Sequence, residues 1–312
     1  MEAVAVGSAK LVHKGSTKDV FQLGENYLFQ FSDRYSVFDW GEMPDHLEGK
    51  GIALADFTKR IYSILGERGI THHLLSVPCS ANEIVVKPFR VIRDQKIMPR
   101  EENIFVPLEV IFRMGVAKGS SLLKRFPGQF LENQMFDKPM IEFTTKLERF
   151  DRPLTHEEAK LIANLNDVEW KNLIDTTEKI ALVLRDTFAS GEITLWDGKV
   201  EFALGTGLNR EIVLVDSIGP DELRLTKDGV QLSKEIIRQY YKGTEWHSRL
   251  DETKKKHGEQ FKEFISPPEK LSREFKTAVE EMYLLLPELM TNSTTAQLKL
   301  QKLIPKLKGR EA

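Results

Sequence analysis

Short apolar runs of strand length dominate the first third of the chain. The segment VFQLGENYLFQFS holds two such runs around Gly24-Glu25-Asn26, and this spacing predicts a β-hairpin. HHLLSV, EIVVKPFRVI and VPLEVIFRMGV are further apolar runs of the same length. We therefore expect each of these runs to form a strand.

Apolar residues recur at helical spacing in the segments between and after these runs. In ADFTKRIYSILGERG, Phe57 and Ile61 share one face, and Gly69 suits the end of the helix. THEEAKLIANL begins with Thr155 and Glu158 at the spacing of a capping box. The following DVEWKNLIDTTEKIALVLRDTFASG predicts a long amphipathic helix that ends before a glycine.

A second predicted hairpin carries charged residues at alternate positions of its first strand. Its sequence is SGEITLWDGKVEFALGTGLNREIVLVDSIGP. Asp197, Lys199 and Glu201 occupy every second position and so share one strand face. The returning run EIVLVD ends at Asp216, and a turn near Leu208-Asn209 would place Asp216 roughly opposite Glu201. Two carboxylates that lie this close repel each other unless a cation neutralises them.

Two interpretations of this hairpin remain open at this point. The carboxylates of Glu201 and Asp216 are hard oxygen ligands of the kind that Mg²⁺ prefers. Alternatively, the strand has an exposed polar face on which Lys199 is the neutralising neighbour. The hairpin alone does not decide between them.

Composition excludes several classes of function. The 312 residues have a formal net charge of -2, which gives no indication of a nucleic-acid partner. With Cys79 as its one cysteine, the chain forms no intramolecular disulfide, as in proteins of a reducing compartment. We find no secretory signal and no apolar run near the roughly 20 residues of a membrane span. We therefore expect a cytoplasmic protein without a membrane partner.

Three polar clusters interrupt the apolar pattern. They are HKGSTKDVF, FSDRYSVFDWGEMPDHLEGKG and VIFRMGVAKGSSLLKR. The first places Lys14 and Lys18 around a turn whose backbone N–H groups can hold phosphate, although a basic surface turn would look the same. The third places Arg113 before a Gly-Ser-Ser turn, and arginine offers a planar fork for phosphate.

The order of these segments resembles the SAICAR synthetase family, the phosphoribosylaminoimidazole-succinocarboxamide synthases. The resemblance rests on KGSTKDVF, FSDRYSVFD, EGKG, EIVVKPF, VPLEVIFRMGVAKGSSLLKR, KPMIEFTTKLERFDRP, SGEITLWDGKVEFAL and IVLVDSIGPDELRL, from about residue 10 to 225. It implies an ATP-dependent ligase of purine biosynthesis that joins L-aspartate to carboxyaminoimidazole ribonucleotide. The products would be SAICAR, ADP and phosphate, and the cofactors ATP and Mg²⁺.

The resemblance also implies roles for individual residues. Those expected to bind ATP are Lys14, Ser16, Lys18, Val86, Lys87, Glu201 and Asp216, the last two through Mg²⁺. Those expected to bind the other substrates are Asp33, Arg34, Ser36, Asp39, Arg113, Gly119, Ser120, Ser121, Lys199 and Arg224. Those expected to act in catalysis are Lys146, Asp197 and Lys199.

The sequence departs from the family pattern at two places. Ser16 stands where the family usually has a lysine after the glycine of the N-terminal turn, so Lys14 is the candidate to replace that phosphate contact. The spacing from Arg113 to the Gly-Ser turn is a residue longer than usual, which leaves open whether Ser120 or Ser121 holds the substrate phosphate.

We expect an α+β fold with two domains. A small N-terminal antiparallel-sheet domain, 1–88, would cover ATP, and a larger α/β domain, 89–312, would carry the metal and substrate sites. ATP would lie in the cleft between them. Polar helical sequence from about residue 227 predicts a helical C-terminal extension. The oligomeric state, a homo-oligomer included, stays open.

Two other classes of function fit part of the pattern. A kinase-like or ATP-grasp-like nucleotide enzyme with another acceptor would also need a glycine turn, a hinge strand and late acids. A non-catalytic interaction protein would use the lysine-rich C-terminal helices as its docking surface. The segments FSDRYSVFD and FRMGVAKGSS favour the ligase over the first class, because a phosphate donor site does not need them, and the acidic and basic clusters argue against the second.

Overall fold

The computed structural model describes residues 9–77, 79–93, 97–98, 100–148, 151–291 and 293–308. These residues form two compact units, each assembled from separate stretches of chain. The first unit takes the described residues up to 56, those within 78–84 and those from 226 onward, and the second takes the described residues within 57–77 and 85–225. The predicted domain boundary at residue 88 stays a prediction.

The first unit combines an N-terminal sheet with the C-terminal helices. Its strands and helices are β1 (Lys10–Lys14), β2 (Lys18–Leu23), β3 (Asn26–Phe31), β13 (Val230–Gln231), α5 (Glu235–Tyr241), α6 (Glu245–His257), α7 (Arg273–Leu289) and α8 (Thr294–Leu307). A short 3₁₀ helix, Gly258–Glu263, follows α6. Strands β1, β2 and β3 are antiparallel neighbours, and Leu23 pairs with Asn26, which confirms the predicted hairpin.

The second unit is built around a long antiparallel sheet. Its strands and helices are β4 (Leu74–Leu75), β6 (Ile104–Phe105), β7 (Leu108–Gly115), α2 (Ser121–Arg125), β8 (Met135–Thr145), β9 (Pro153–Leu154), α3 (His156–Ile162), α4 (Asp167–Ala189), β10 (Thr194–Leu204) and β11 (Ile212–Val215). Strand β10 pairs with β7 along its first half and with β11 and β6 along its second half. Strands β8 and β9 continue the sheet beyond β7.

Three elements contain residues of both units. They are α1 (Lys50–Glu67), β5 (Glu83–Val86) and β12 (Leu223–Lys227). Mixed helices, antiparallel sheets and C-terminal helices confirm the predicted α+β class. No helix formed by the described residues is both long and apolar enough to cross a membrane. The cytoplasmic location stays a prediction.

Helix α4 covers the apolar face of the sheet in the second unit. It packs against β7, β8, β10 and β11. Leu173, Ile180, Leu184 and Phe188 of α4 are buried, as the amphipathic pattern predicted. The opposite face of the sheet is thereby left to the charged residues that alternate with the apolar ones along β10.

Gly198 allows the second unit's sheet to close over an aromatic ring. In the pairing of β10 with β7, Gly198 lies directly opposite Phe112, which is fully buried. A Cβ atom at Gly198 would lie 2.4 Å from Phe112 Cζ and 2.6 Å from Leu223 Cδ2. The close approach therefore requires glycine between Asp197 and Lys199, two of the predicted site residues.

The start of α4 is fixed by a buried ion pair. Asn166 and Glu169 form a capping box, in which each side chain accepts from the other's backbone N–H. The Glu169 carboxylate also accepts from Arg210 in the loop between β10 and β11, at 2.7 Å from Nε and 2.8 Å from Nη2. Burial opposes ionisation of Glu169, but these hydrogen bonds and the Arg210 charge outweigh it and lower its pKa.

We predict that Gly198→Ala lowers the free energy of unfolding by about 1–3 kcal/mol, because the added methyl group overpacks the core. Urea unfolding followed by circular dichroism measures the change. In the Phe112→Leu background the cost of Gly198→Ala should shrink, because the ring that the methyl group meets is gone. Equal costs in both backgrounds would contradict this explanation.

We predict that Arg210→Gln lowers the free energy of unfolding at pH 7 by about 3–5 kcal/mol, because it leaves the Glu169 carboxylate buried without its charge partner. Arg185→Gln in α4 is the control, because the Arg185 side chain is 42% exposed, and it should change the free energy of unfolding by less than about 0.5 kcal/mol. Because Glu169 has a lowered pKa, the stability it contributes is complete above the unfolded-state pKa. It is lost as the pH falls through the lower folded-state pKa. A difference between variant and wild type that persists at the acid end would contradict the assignment.

Candidate active site

Charged side chains line one face of the second unit's sheet. Arg113 of β7 lies opposite Asp197 of β10, and Ile111 lies opposite both Lys199 and Glu142 of β8. Side chains of directly paired residues project to the same side of a sheet. The charged face predicted for β10 therefore extends over the three neighbouring strands β10, β7 and β8.

A cavity of about 340 Å³ opens on this polar face. Four cationic side chains line it, those of Arg113, Lys124, Lys199 and Arg224, against the two acids Asp197 and Glu222. Arg113 Nη1 lies 3.3 Å and Arg224 Nη1 lies 3.6 Å from Asp197 Oδ2. Arg224 Nη1 is buried and has no hydrogen-bond partner among the described residues. The cavity thus has donors and positive charge to spare for an anion such as phosphate.

The two serines that the sequence left undecided have different surroundings. Ser120 is buried, and its hydroxyl accepts from the N–H of Leu122 as the N-cap of α2. Ser121 lines the cavity, and its Oγ lies 3.3 Å from Arg113 Nη2. Gly119 also lines the cavity. Of the two hydroxyls, that of Ser121 therefore lines the cavity, and its role in holding the substrate phosphate stays a prediction.

A second group of charges alternates in sign beside the cavity. Glu109 Oε1 lies 2.7 Å from Lys199 Nζ and 3.0 Å from Lys146 Nζ, and Lys146 Nζ lies 2.7 Å from Glu201 Oε1. Both glutamate side chains are 7% exposed. We call Glu109, Lys146, Lys199 and Glu201 the charge chain.

Burial and neighbouring charge shift the pKa values of the charge chain. Burial opposes the charged forms of Lys146 and Lys199, but the glutamates outweigh it and raise both lysine pKa values. The two lysines likewise outweigh burial at Glu109 and lower its pKa. At Glu201 burial prevails, together with the charge of Asp216, and the pKa is raised. Both lysines are therefore ammonium ions near neutral pH.

Asp216 follows β11 in a left-handed backbone conformation, with φ of 67°. Its carbonyl oxygen accepts from Tyr62 Oη at 3.0 Å and from His73 Nε2 at 2.9 Å. Burial raises the pKa of Tyr62, and the charges of Asp216 and Glu201 raise it further. Glu201 pairs with Val215, the residue before Asp216, and the charge of Asp216 acts on Glu201 to raise its pKa. Two hydrogen bonds to the peptide thus hold this acid at the strand end.

Glu201 and Asp216 fit a Mg²⁺ site by their donor chemistry. Within the described part of the chain, no cluster of three or more His, Cys, Asp or Glu side chains is arranged to hold a metal ion. Mg²⁺ needs fewer protein ligands, because it keeps waters and takes one or two carboxylates plus substrate phosphates. The repulsion that raises the pKa of Glu201 is what a bound cation would relieve.

Val86 and Lys87 lie at the end of β5. Val86 is buried and pairs with Leu74. The N–H of Lys87 donates to the carbonyl of His73 at 2.8 Å, and Lys87 Nζ lies 5.2 Å from the centre of the Phe89 ring. The expected role of this strand beside adenine stays a prediction.

The remaining predicted residues belong to the first unit. Lys14 ends β1, Ser16 lies in the turn, and Lys18 begins β2. Arg34 donates to the carbonyl of Gly15 at 3.1 Å and pairs with Asp19 at 2.6 Å, so it braces this turn.

The acids of the segment after β3 differ in their surroundings. Asp33 accepts from the N–H groups of Gly49 and Gly51, at 3.3 and 2.9 Å, and so caps the start of α1. Ser36 and Asp39 lie in the loop that follows, and the Asp39 side chain is 96% exposed. Asp39 is thus the more accessible of the two predicted acids.

Sequence reasoning missed Glu109 and Glu142, and it placed Lys124 in the cluster after Arg113 without giving it a role. Glu142 forms ion pairs with Arg113 and with Arg125, and these partners outweigh burial and lower its pKa. The signal for both glutamates was a single acid inside an apolar strand, in VPLEVIF and in MIEF. A lone charge in such a run needs a buried partner.

Comparison with known proteins gives a consistent family. The sequence model of SAICAR synthetase matches residues 11–253. A putative phosphoribosylaminoimidazole-succinocarboxamide synthase of Archaeoglobus fulgidus is 36% identical over 304 residues, which cover 86% of this chain and 91% of that protein. The phosphoribosylaminoimidazole-succinocarboxamide synthase of Thermoplasma acidophilum is 32% identical over 88% of this chain and 97% of its own.

A solved structure agrees with these relatives. A SAICAR synthetase in complex with ADP superimposes with a TM-score of 0.62 and 27% identity, over 83% of this chain and 100% of that one. The family match covers well over half of the chain, including the cavity, the charge chain and Asp216. The chain therefore belongs to the SAICAR synthetase family and is a ligase of purine biosynthesis.

Proposed function

We propose that the chain joins L-aspartate to carboxyaminoimidazole ribonucleotide at the expense of ATP. The ribonucleotide's carboxylate oxygen takes the terminal phosphoryl group, and ADP leaves. The aspartate amine then attacks the acyl carbon, forms the C–N bond, loses one proton and expels phosphate. The products are SAICAR, ADP and phosphate.

The observation that carries this proposal is the cationic cavity beside the buried carboxylates. An anionic nucleotide and a nucleoside triphosphate both need positive charge, and catalysis of acyl phosphate formation is largely electrostatic. Arg113, Lys199 and Arg224, with Ser121, would hold the ribonucleotide's phosphate. Asp197, between the two arginines, would orient the substrate amine or the ribose.

The two lysines of the charge chain act as fixed cations in this proposal. The glutamates raise the pKa values of Lys146 and Lys199, so neither lysine serves as a general base near neutral pH. Lys146 would instead neutralise the phosphates of ATP or the carboxylate of the ribonucleotide. The ion pairs to Glu109 and Glu201 hold its ammonium group in place before a substrate arrives.

Glu201 and Asp216 are the proposed ligands of Mg²⁺. When bound, the ion would neutralise charge on the phosphates of ATP. The chain's own contribution is to supply two oxygen ligands, one on β10 and one just after β11.

The proposed ATP contacts also include residues outside the cavity. They are Lys14, Ser16, Lys18, Val86 and Lys87. Support comes from the ADP complex of the related SAICAR synthetase. Ser16 in place of the usual lysine leaves the lysines on either side, Lys14 and Lys18, to supply positive charge at this turn.

We predict that ADP release requires both carboxyaminoimidazole ribonucleotide and L-aspartate together with ATP and Mg²⁺. A coupled assay for ADP, run with each substrate omitted in turn, measures this. Turnover with either substrate alone would instead favour a kinase-like or ATP-grasp-like enzyme with another acceptor.

We predict that Asp216→Asn lowers kcat by about 10²-fold or more, because one preorganised electrostatic group is worth that much in other enzymes. Asp228→Asn is the matched control, since exposed Asp228 also has a left-handed backbone, with φ of 50°. The control should keep wild-type kcat and both variants the wild-type melting temperature. Full activity of Asp216→Asn at limiting Mg²⁺ would show that the metal assignment is wrong.

A further inference from the structure

The C-terminal part of the first unit packs on the loop that carries Asp39. Residues 254–308 lie beyond the stretch that the family model matches, 11–253. Lys254, near the end of α6, nevertheless contacts the loop between β3 and α1. This contact suggests a role for a segment to which the sequence assigned none.

The loop contains a tight turn with an unusual residue in it. The N–H of Trp40 donates to the carbonyl of Val37 at 3.1 Å, which closes a four-residue turn. Its two central residues, Phe38 and Asp39, both have left-handed backbones, with φ of 53° and 54°. Glycine, asparagine and aspartate dominate these positions, and a bulky residue there is an outlier. Phe38 therefore needs contacts from elsewhere to hold this conformation.

Helix α6 supplies those contacts. Lys254 Nζ donates to the carbonyl oxygen of Phe38 at 2.6 Å and lies 3.3 Å from the carboxylate of Asp39. The ring of His247, two turns earlier on the same helix, lies 4.5 Å from the Phe38 ring, centre to centre. One side chain of α6 thus binds the peptide of the turn, and another packs on its phenyl ring.

Aromatic packing secures the next residue of the loop. The Trp40 ring lies 5.7 Å from that of Trp246 and 5.9 Å from that of Phe261, both edge to face. Lys254 Nζ also lies 5.2 Å from the centre of the Phe261 ring. The turn is therefore held on both sides, while the Asp39 side chain is left 96% exposed.

We propose that Lys254 is a positioning residue that sets the conformation of the Phe38–Asp39 turn for substrate binding. The inference rests on the proposed function, in which Ser36 and Asp39 contact the ribonucleotide or L-aspartate. Lys254 acts through the peptide of Phe38. By fixing the backbone of the turn, it fixes the direction in which the exposed Asp39 side chain leaves the backbone. The segment beyond the family match would thereby shape the substrate side of the active site.

The test compares Lys254→Met with Lys255→Met, its exposed neighbour on α6. Steady-state kinetics on the full chain should show the KM of L-aspartate or of the ribonucleotide raised about tenfold in Lys254→Met, the worth of one charge-assisted hydrogen bond. The KM of ATP should stay within about twofold of wild type. Lys254→Arg, which keeps a cationic donor, should recover most of the loss.

A purely structural role would lower the melting temperature and change every kinetic parameter together. The melting temperatures of the two methionine variants should instead agree within about 2 °C. Equal KM values in both variants, or equal losses for ATP and the other substrates, would overturn the inference. Failure of the wild type to release ADP with both substrates would instead refute the proposed function.

Discussion

The candidate active site depends on two buried glutamates, Glu109 and Glu201, whose charges are neutralised by lysines on or just after neighbouring strands. Glu109 on β7 binds Lys199 on β10 and Lys146 just after β8, and Lys146 in turn binds Glu201. Removing Lys146 would leave the Glu201 carboxylate, which is 7% exposed, without its lysine partner, and this is far more costly than losing an exposed ion pair. The charge chain therefore fixes the register of three strands and the position of the candidate ligands at once.

The apolar underside of the same strands makes this charged surface possible. Residues that alternate with the charged ones pack on α4, and Gly198 lets the Phe112 ring cross beneath the strand that carries Asp197 and Lys199. Interiors are packed too closely for such a strand to shift by itself. A change on the apolar face would therefore move the charges on the polar face, although it contacts no substrate.

The sequence predicted what depends on local pattern. The alternation in β10, the capping box of Thr155 and Glu158, and the hairpin around Gly24 are confirmed, because each depends on residues a few positions apart. Glu109 and Glu142 were missed, because their charged partners on neighbouring strands lie 29 to 90 residues away along the chain. Which of Ser120 and Ser121 caps α2 likewise did not follow from the local pattern.

Two acids of the proposed site, Asp39 and Asp216, are held in similar ways by their backbones. Each has a left-handed backbone, which aspartate tolerates better than most residues. In each case a neighbouring side chain donates to a peptide carbonyl, Lys254 to that of Phe38 and Tyr62 to that of Asp216 itself. A hydrogen bond to the peptide fixes the backbone position of the acid. This position therefore does not depend on the contacts that the carboxylate itself makes.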